Sequence, residues 1–564
     1  MTTNHHDKNH DQTNKEMHTE EQKVEGKKPS TILRFMNRRW MDHWSGNPPG
    51  PILLLIGIVT AILMSVPILY VIWRAVFAGA DSWARLLGNR IPGLIWDTLS
   101  LVVAVTAAAI TIGVSVAWLV VRTDLPGRKW LQWMMALPLV IPPYVGAVTY
   151  IIVFGPSGWA RDLWEQSFLD SIIAYPINIY SFWGVFITLT LFTYPYVFLI
   201  ASASLRKMNK SFEEVARSQG MSTAQIFFKV NLPLLRPAIG AGAILISLYV
   251  LSDFGAIAML RYVTFTAAIY YQRAGFDIPA ASVLSLVLIV ITVLILWLES
   301  YTRRKNKYYQ TTNSYKEPDI LSLGKWKPIA TLYIGTVFSL AVVLPISVLV
   351  YWTVIGAGAG AIDSRFFGFA WNSIKVSGLA AVISMLLATP IIYLKSRHPS
   401  LTSSTIDKLS YGGYALPGVI VALGLVFIFN NHIPMLYNTF YMIAVAFVVR
   451  FLPQAMQAGD ASLSLVSPRM DEAARSLGYP AWKVMFKVVL PTIMPGVLAG
   501  GALVFVSSIK ELPATLMLRP PGFDTLAVRV YYEASEAIYH QAAPGALLIV
   551  LVSIIPLHYL LKKY

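Results

Sequence analysis

Charged side chains within two apolar stretches are the first candidates for chemistry in this sequence. Asp253 lies in LSDFGAIAMLR (251–261), and the matching stretch 258 residues later, IKELPATLMLR (509–519), holds Lys510 and Glu511. Ionisable residues at membrane depth are costly and commonly mark the route of an ion or a proton. A structural alternative is a Lys510–Glu511 pair, or side chains that snorkel to the outer interface. We predict a translocation path or outer gate from the aligned set Asp253, Lys510, Glu511, Arg261 and Arg519.

Signatures of catalysis are missing from the sequence. It contains no cysteine, which excludes disulfides and thiol nucleophiles, and it contains neither GxxxxGK[ST] nor HExxH. The polar N-terminal stretch carries His5, His6, His10 and His18, for which a solvated tail and a metal-binding role both stay open. We therefore expect no enzyme activity and no cofactor in this chain, and metal ligands stay unknown.

A polar segment occurs twice in this otherwise apolar chain. EEVARSQGMSTAQIFFKVNLPLLRP (213–237) and DEAARSLGYPAWKVMFKVVLPTIMP (471–495) are identical at 11 of 25 positions without a gap. The shared residues include Glu214/Glu472, Ala216/Ala474, Gly220/Gly478 and Pro233/Pro491. A segment kept in two copies predicts a task that must be performed twice.

Helix start and stop signals divide each copy into two short helices. Ser211 with Glu214 and Ser222 with Gln225 form capping-box patterns, and Ser467 precedes a proline that suits a first helical turn. Glycine at 220 and 478 permits a left-handed helix end, and we expect the second helix to end at Leu232-Pro233 and Leu490-Pro491. The second helices carry aromatic residues that we expect to be exposed: Phe227, Phe228, Trp482 and Phe486.

Composition requires that these segments belong to a polytopic membrane protein. The 564 residues are 56% hydrophobic and only 13% charged, with a mean hydropathy of +0.58. Many apolar runs reach the roughly 20 residues that a helix needs to cross a bilayer. We predict an all-α fold with about twelve crossings, near residues 52–77, 97–121, 131–154, 179–203, 238–259, 281–298, 329–354, 372–394, 409–430, 438–458, 497–517 and 544–561.

Basic residues lie between the apolar runs, which indicates membrane topology and argues against nucleic-acid binding for a chain of net charge +16. One set of loops carries arginine but no lysine (Arg85, Arg90, Arg161, Arg261, Arg273, Arg365, Arg519 and Arg529), whereas the linker 299–328 alone holds seven basic residues. The positive-inside rule then predicts that both termini and both polar segments face the cytoplasm.

The linker divides the chain into two halves in parallel orientation. We predict a polar tail at 1–50, a first repeat at 51–298 with its core at about 95–298, the linker at 299–328, and a second repeat at 329–564 with its core at about 372–562. The polar segment follows the fourth crossing of each half, and a hairpin lying on the lipid surface is an alternative to a partner-binding knuckle.

The polar segment resembles the EAA loop of ABC-importer permeases, in which Glu-x-Ala is followed by glycine and then by aliphatic-x-Leu-Pro. The match reads Glu214-Val215-Ala216 with Gly220 and Pro233, and it is fuller at Glu472-Ala473-Ala474 with Gly478 and Pro491. The resemblance implies a type I importer permease whose EAA loops form coupling helices. An ATP-binding ABC subunit, in two copies, would dock on those loops, and an extracytoplasmic binding protein would deliver the substrate.

The stretch KELPATLMLRPPGFDTLAVRVYY (510–532), the SDFG of the first half and the fused architecture are similar to the iron(III) branch of these permeases. That resemblance implies ferric ion as the substrate and a bacterial cell membrane as the location. Thiamine, sulfate or phosphonate import by the same architecture stays open, as does an ion-gradient-driven secondary transporter that uses Asp253 and Glu511.

Overall fold

The computed structural model describes residues 48–304 and 319–562, and these residues form an all-α protein. The histidines of the N-terminal stretch, and three of the seven basic linker residues (Lys305, Lys307 and Lys316), lie outside the described residues. Within the described ranges, extended pairing is limited to one isolated bridge between Thr123 and Leu321. The predicted all-α polytopic fold is confirmed.

The first half contains these helices: Pro51–Val76, Ala80–Asn89, Ile91–Arg122, Arg128–Met134, Pro143–Phe154, Trp159–Glu165, Phe182–Arg206, Ser211–Ser218, Thr223–Ile226, Leu232–Leu234, Arg236–Ser252, Gly255–Met259, Phe265–Ala274 and Ile278–Arg304. The second half contains these: Lys327–Phe338, Leu344–Gly358, Ser364–Arg397, Leu401–Ser410, Gly418–His432, Phe440–Leu463, Pro468–Ser476, Ala481–Val484, Leu490–Ile509, Pro513–Leu518, Leu526–Ser535 and Tyr539–Lys562.

Nine helices of the described part are long and apolar enough to cross a bilayer. Two further spans are bent pairs, Arg128–Val140 with Pro143–Glu165 at 91° and Thr223–Leu234 with Arg236–Ser252 at 65°. The shorter apolar helix Gly418–His432, of 15 residues, lies at the place of the predicted ninth crossing. The twelve predicted crossings therefore each correspond to an apolar element of the fold.

Three of those crossings are not the straight helices that apolar length predicts. The third breaks between Val140 and Pro143, where proline residues remove backbone donors. The fifth and the eleventh end at Ser252 and Ile509, and a short helix follows each break. Apolar composition does not reveal these breaks because the short helices that follow are just as apolar.

Each half is built on the same three packed helices. Ile91–Arg122 packs against Phe182–Arg206 and Arg236–Ser252 in the first half, and Ser364–Arg397 packs against Phe440–Leu463 and Leu490–Ile509 in the second. The first helix of the chain, Pro51–Val76, packs on Ser364–Arg397 and on Gly418–His432 of the other half. The two halves therefore interlock as well as meet face to face.

Small residues allow the closest of these helix contacts. A Cβ on Gly500 would lie 2.8 Å from Cα of Ala455, and a Cβ on Gly496 would lie 1.8 Å from Oγ of Ser462. These distances are too short for any side chain. Gly496 and Gly500 thus let Leu490–Ile509 approach Phe440–Leu463, as a small-xxx-small face predicts.

Candidate functional site

The two polar segments fold as matching helical hairpins. Ser211–Ser218 and Pro468–Ser476 form the first helices, and each ends at a glycine in the left-handed conformation, Gly220 with φ +79° and Gly478 with φ +85°. Beyond each glycine the next backbone N–H donates back to the carbonyl of the alanine at 216 or 474, at 3.2 Å in both copies. The predicted glycine elbows are confirmed, and their geometry is the same in both halves.

The predicted helix starts are correct in two cases and wrong in one. Ser222 and Gln225 form the complete capping box, and the Ser467 side chain accepts from the backbone N–H of Arg469. Ser211 is itself the first helical residue, and its hydroxyl contacts Asn209 at 3.0 Å instead of capping Glu214. The predicted Ser211 cap is wrong because Asn209 supplies the competing hydrogen bond.

The prediction that proline ends the second helix is also wrong. A five-residue π-helical turn precedes each proline, Phe227–Asn231 before Pro233 and Met485–Val489 before Pro491. The wider turn shifts the hydrogen-bond pattern where the proline N–H is missing, so the helix continues past it. In the second half the helix runs on into the membrane span, whereas in the first it bends at Leu235.

The hairpin residues divide into a surface set and an inner set. The side chains of Glu214 and Glu472 reach the surface, whereas Ala216 and Ala474 are buried and belong to the packing of the hairpin. Phe228, Trp482 and Phe486 are more than half exposed, as expected. Phe227 is an exception because it packs edge-on against Trp118, with ring centroids 5.4 Å apart.

Buried ion pairs tie both hairpins to the membrane helices. Arg122, the last residue of its helix, places one Nη at 2.7 and 2.8 Å from the two carboxylate oxygens of Glu213, and both side chains are at most 4% exposed. In the second half Arg397 donates from Nε to Oδ2 of Asp471 at 3.1 Å, and the Tyr393 hydroxyl donates to the same oxygen at 3.2 Å. We call these two pairs the hairpin clamps.

Sequence reasoning missed the hairpin clamps. Glu213 and Asp471 are aligned in the two copies, directly before the motif glutamates. In each half an arginine is also the last residue of the first core helix, which is Ile91–Arg122 in one half and Ser364–Arg397 in the other. An acidic residue repeated at the same place, with a basic residue repeated at a matching helix end, is the signal that pairs them. The EAA pattern begins one residue later, at Glu214 and Glu472, and so does not include the two clamp acids.

The end of the linker lies against the first hairpin. Leu321 pairs with Thr123, the backbone N–H of Leu323 donates to Asp124 at 2.9 Å, and Lys210 holds Asp319 at 2.9 Å. The Leu323 N–H and then the Lys327 ammonium lower the pKa of Asp124, and Lys210 lowers the pKa of Asp319. We call residues 319–327 the linker strap. It meets the first half beside Arg122, at the first hairpin clamp.

A cavity of about 210 Å³ lies between the two halves, and it shares part of its lining with a larger cavity of about 1090 Å³. Its lining comes from both sides and includes Pro142, Tyr144, Tyr196, Tyr249 and Asp253 of the first half and Tyr414, Arg450, Gln454, Lys510 and Glu511 of the second. Three predicted path residues, Asp253, Lys510 and Glu511, are thus brought to one chamber. Arg450, which has no charged equivalent in the first half, joins them.

The two acids also have a local structural task. Oδ1 of Asp253 accepts from the backbone N–H groups of Ala256 and Ile257 at 3.0 and 3.3 Å, and Oε1 of Glu511 accepts from Ala514 at 3.2 Å. Each acid therefore caps the short helix that follows its helix break, where N–H groups need an acceptor. Position 253 and position 511 are equivalent in structure as well as in sequence.

Lys510 and Glu511 do not pair with each other but have separate partners. Lys510 donates its ammonium hydrogen to the carbonyl of Leu139 in the other half, at 3.2 Å, and Glu511 forms its ion pair with Arg450. The alternative of a Lys510–Glu511 pair is wrong, because adjacent residues at the end of a helix point in different directions.

Arg261 and Arg519 do not line the cavity. Arg261 stacks over the ring of Tyr180 at 4.8 Å, and its φ of +55° is an uncommon backbone conformation for arginine. Arg519 pairs with Asp524 and lies over the ring of Tyr532 at 5.0 Å. The aligned arginines therefore hold the loops after the short helices, and their place in an outer gate stays a prediction.

The match between halves extends without a gap from the hairpins into the cavity wall. Pro195 and Pro453 are 258 residues apart, and both lie inside equivalent helices. At the same spacing Tyr196 corresponds to Gln454, Tyr249 to Ser507 and Asp253 to Glu511, whereas Phe192 corresponds to Arg450 and Ser252 to Lys510. The two walls of the cavity are equivalent in position but not in chemistry.

Comparison with known proteins gives one family and several relatives. The model of "Binding-protein-dependent transport system inner membrane component" matches twice, at residues 109–308 and 380–561. Over 524 residues, 92% of this chain and 99% of the relative, the sequence is 34% identical to the Fe(3+)-transport system permease protein FbpB 2 of Haemophilus influenzae. It is 25% identical to the ferric transport system permease protein FbpB of Actinobacillus pleuropneumoniae over 75% of this chain and 64% of that one. It is 21% identical to the thiamine transport system permease protein ThiP of Salmonella typhimurium, over 76% and 81%.

Proposed function

The chain belongs to the family of binding-protein-dependent transport system inner membrane components, and we propose that its cargo is ferric iron. It is the multi-pass membrane permease of an ABC importer and is not itself an enzyme, since the ATPase of such a system is a separate subunit. The observation that carries the proposed cargo is 34% identity to an Fe(3+) permease along 92% of the chain.

The hairpins are the proposed docking sites for that ATPase, one copy on each. Surface carboxylates at Glu214 and Glu472 and exposed aromatic side chains at Phe228 and Trp482 give each hairpin a mixed polar and apolar face. Such a face suits a partner groove. Gly220 and Gly478 set the elbow, Ala216 and Ala474 pack its inner side, and Pro233 and Pro491 lie where it joins the membrane helix.

The cavity between the halves is the proposed path. It contains charged side chains from both halves and is crossed by the Lys510 contact to Leu139. Closure of two ATPases would rock the halves and open this chamber first to one side and then to the other. Asp253, Lys510 and Glu511 are the proposed path residues, and Arg261 and Arg519 the proposed outer residues.

The proposed topology places both termini and both hairpins in the cytoplasm, in the bacterial cell membrane. The lysine-free arginine loops support that orientation. The proposed domain division, with repeats at 51–298 and 329–564 around the linker, agrees with the double family match at 109–308 and 380–561.

Uptake by a reconstituted importer tests the function. The permease is inserted in liposomes with its ATPase and its binding protein, and ATP-dependent entry of radiolabelled iron is compared with that of thiamine, sulfate and a phosphonate. We expect iron alone to enter. Entry of another solute without iron would keep the importer and overturn the cargo, whereas iron entry without the ATPase would favour the gradient-driven alternative.

A further inference from the structure

The two walls of the cavity differ in charge. The wall from the first half carries an acid and tyrosine side chains, whereas the wall from the second half, which we call the basic wall, carries Lys510 and the Arg450–Glu511 ion pair together with Tyr414. Tyr196, Tyr249 and Asp253 come from the first half, and at the two equivalent tyrosine positions the second half has Gln454 and Ser507. The second half instead supplies cations, Lys510 and Arg450, in the positions of Ser252 and Phe192. The two halves therefore have the same backbone fold but place side chains of different charge at equivalent positions of the cavity.

The oxygens of the first wall are available to a guest. Tyr196 and Tyr249 are half-buried neighbours with ring centroids 6.0 Å apart, and both line the cavity together with Asp253. Oδ1 of Asp253 caps a helix, so Oδ2 is the oxygen that remains for the cavity. Glu511 is less available because Arg450 and the Ala514 N–H occupy its carboxylate.

The size of the cavity limits what it can hold. Its volume of about 210 Å³ is room for an ion with a few small ligands. It is below the roughly 300 Å³ at which pockets for organic ligands usually begin. The cavity also shares Leu139, Tyr196 and Lys510 with a neighbouring cavity of about 1090 Å³.

From these observations, and resting on the proposed ferric cargo, we propose that the cavity is a transient binding site for ferric ion together with a small oxyanion. The phenol oxygens of Tyr196 and Tyr249 and the Asp253 carboxylate take the metal, because a hard trivalent cation prefers anionic oxygen ligands. Each phenol that coordinates the ion releases its proton to the water displaced from it. Lys510 takes the oxyanion by a charge-assisted hydrogen bond, and Arg450, which is paired with Glu511, contributes its remaining N–H groups.

The positive charge of the basic wall is the reason for proposing an oxyanion beside the metal. A bare trivalent ion would share the cavity with the Lys510 ammonium, whose partner is a neutral carbonyl, and like charges in a cavity lined by protein repel. An oxyanion between the metal and the basic wall turns that repulsion into attraction. The ferric ion then binds the first wall and its oxyanion binds the basic wall, and the ion and its oxyanion together carry little net charge.

Absorbance of the purified permease–ATPase complex tests the metal wall. Ferric nitrilotriacetate is added to the full complex, and coordination by tyrosine is measured as a visible phenolate-to-iron charge-transfer band. We expect the band in the unaltered protein and in the control Tyr441→Phe, whose ring lies outside the cavity and is 49% exposed. In Tyr196→Phe/Tyr249→Phe we expect no band and a ferric dissociation constant raised at least about tenfold.

The outcomes separate the site from the cargo. ATPase activity stimulated by the binding protein checks that the double variant folds and assembles. If that variant keeps the band, or if the unaltered protein has none while iron uptake proceeds, the site is overturned and the proposed function stands. If the unaltered importer takes up no iron, the proposed function itself fails.

Inorganic phosphate tests the basic wall. We expect phosphate to lower the ferric dissociation constant of the unaltered complex, and we expect Lys510→Met to remove most of that effect while the charge-transfer band remains. Phosphate that leaves ferric binding unchanged, or that weakens it equally in both proteins, would overturn the second part of the proposal.

Discussion

Replacement of Glu213 by glutamine is expected to release the first hairpin from the membrane helices. The substitution changes one oxygen to an amide nitrogen and leaves Arg122 as an unpaired charge in a site where both side chains are at most 4% exposed. Removal of one partner from a buried pair costs about 3–5 kcal/mol, far more than the pair adds over an apolar replacement. The hairpin should therefore open locally without unfolding of the whole protein.

The magnitude can be read as hydrogen exchange. A cost of about 3–5 kcal/mol corresponds to roughly two to four orders of magnitude in the local opening equilibrium. Amide exchange measured by mass spectrometry in the purified permease without its ATPase should accelerate by that factor in residues 211–220. Exchange in the second hairpin, 468–478, should stay unchanged because its own clamp is intact.

Two variants make this result specific. Glu214→Gln is the matched control, since it is the neighbouring residue with a side chain 41% exposed, and we expect its exchange to change by less than a factor of about five. Arg122→Met/Glu213→Met removes both charges and should recover most of the protection. Unchanged exchange in Glu213→Gln, or equal acceleration in Glu214→Gln, would refute the clamp.

Two other substitutions test the cavity and the linker strap. Gly418→Ala places a Cβ 2.3 Å from Nη1 of Arg450 and should reduce ATP-dependent uptake about tenfold at normal expression, whereas Gly368→Ala, with open space at its Cβ, should not; equal uptake in both would contradict the geometry. Asp124→Asn weakens the acceptor of the Leu323 N–H and should speed proteolysis within 319–327. Because the pKa of Asp124 is lowered, the stability that its carboxylate gives the linker strap is present above the ordinary carboxyl pKa and is lost as pH falls through the lowered value. A cleavage rate that changes neither in Asp124→Asn nor at low pH would exclude a role for this contact.

Short sequence patterns correctly predicted those features of the hairpins that need no contact outside the segment. The left-handed glycines at 220 and 478 and the capping box at Ser222 require no partner outside the segment. The Ser211 cap failed because Asn209 competes for its hydroxyl. The helix ends at proline failed because a π-helical turn, which no residue pattern announces, carries the chain past them.

The contents of the cavity depend on distant parts of the chain. Glu511 and Arg450 are 61 positions apart in the sequence, and Lys510 reaches a carbonyl 371 positions away. Composition and periodicity carry no such information. The repeat carried part of it, because the alignment of Asp253 with Glu511 already predicted that both would face the same place.

The contact of Lys510 with Leu139 gives a reason why the two walls differ. Its hydrogen bond spans the halves at 3.2 Å, so a rocking motion that parts the halves must break it and free the ammonium group. Under the proposed rocking motion, the freed ammonium would bind the oxyanion more strongly than it does while the carbonyl competes for it. Tyr196, Tyr249 and Asp253 belong to the first half and Lys510 to the second, so the groups proposed for the metal and for the anion would move apart as the halves part. A cavity with identical walls would lack that separation.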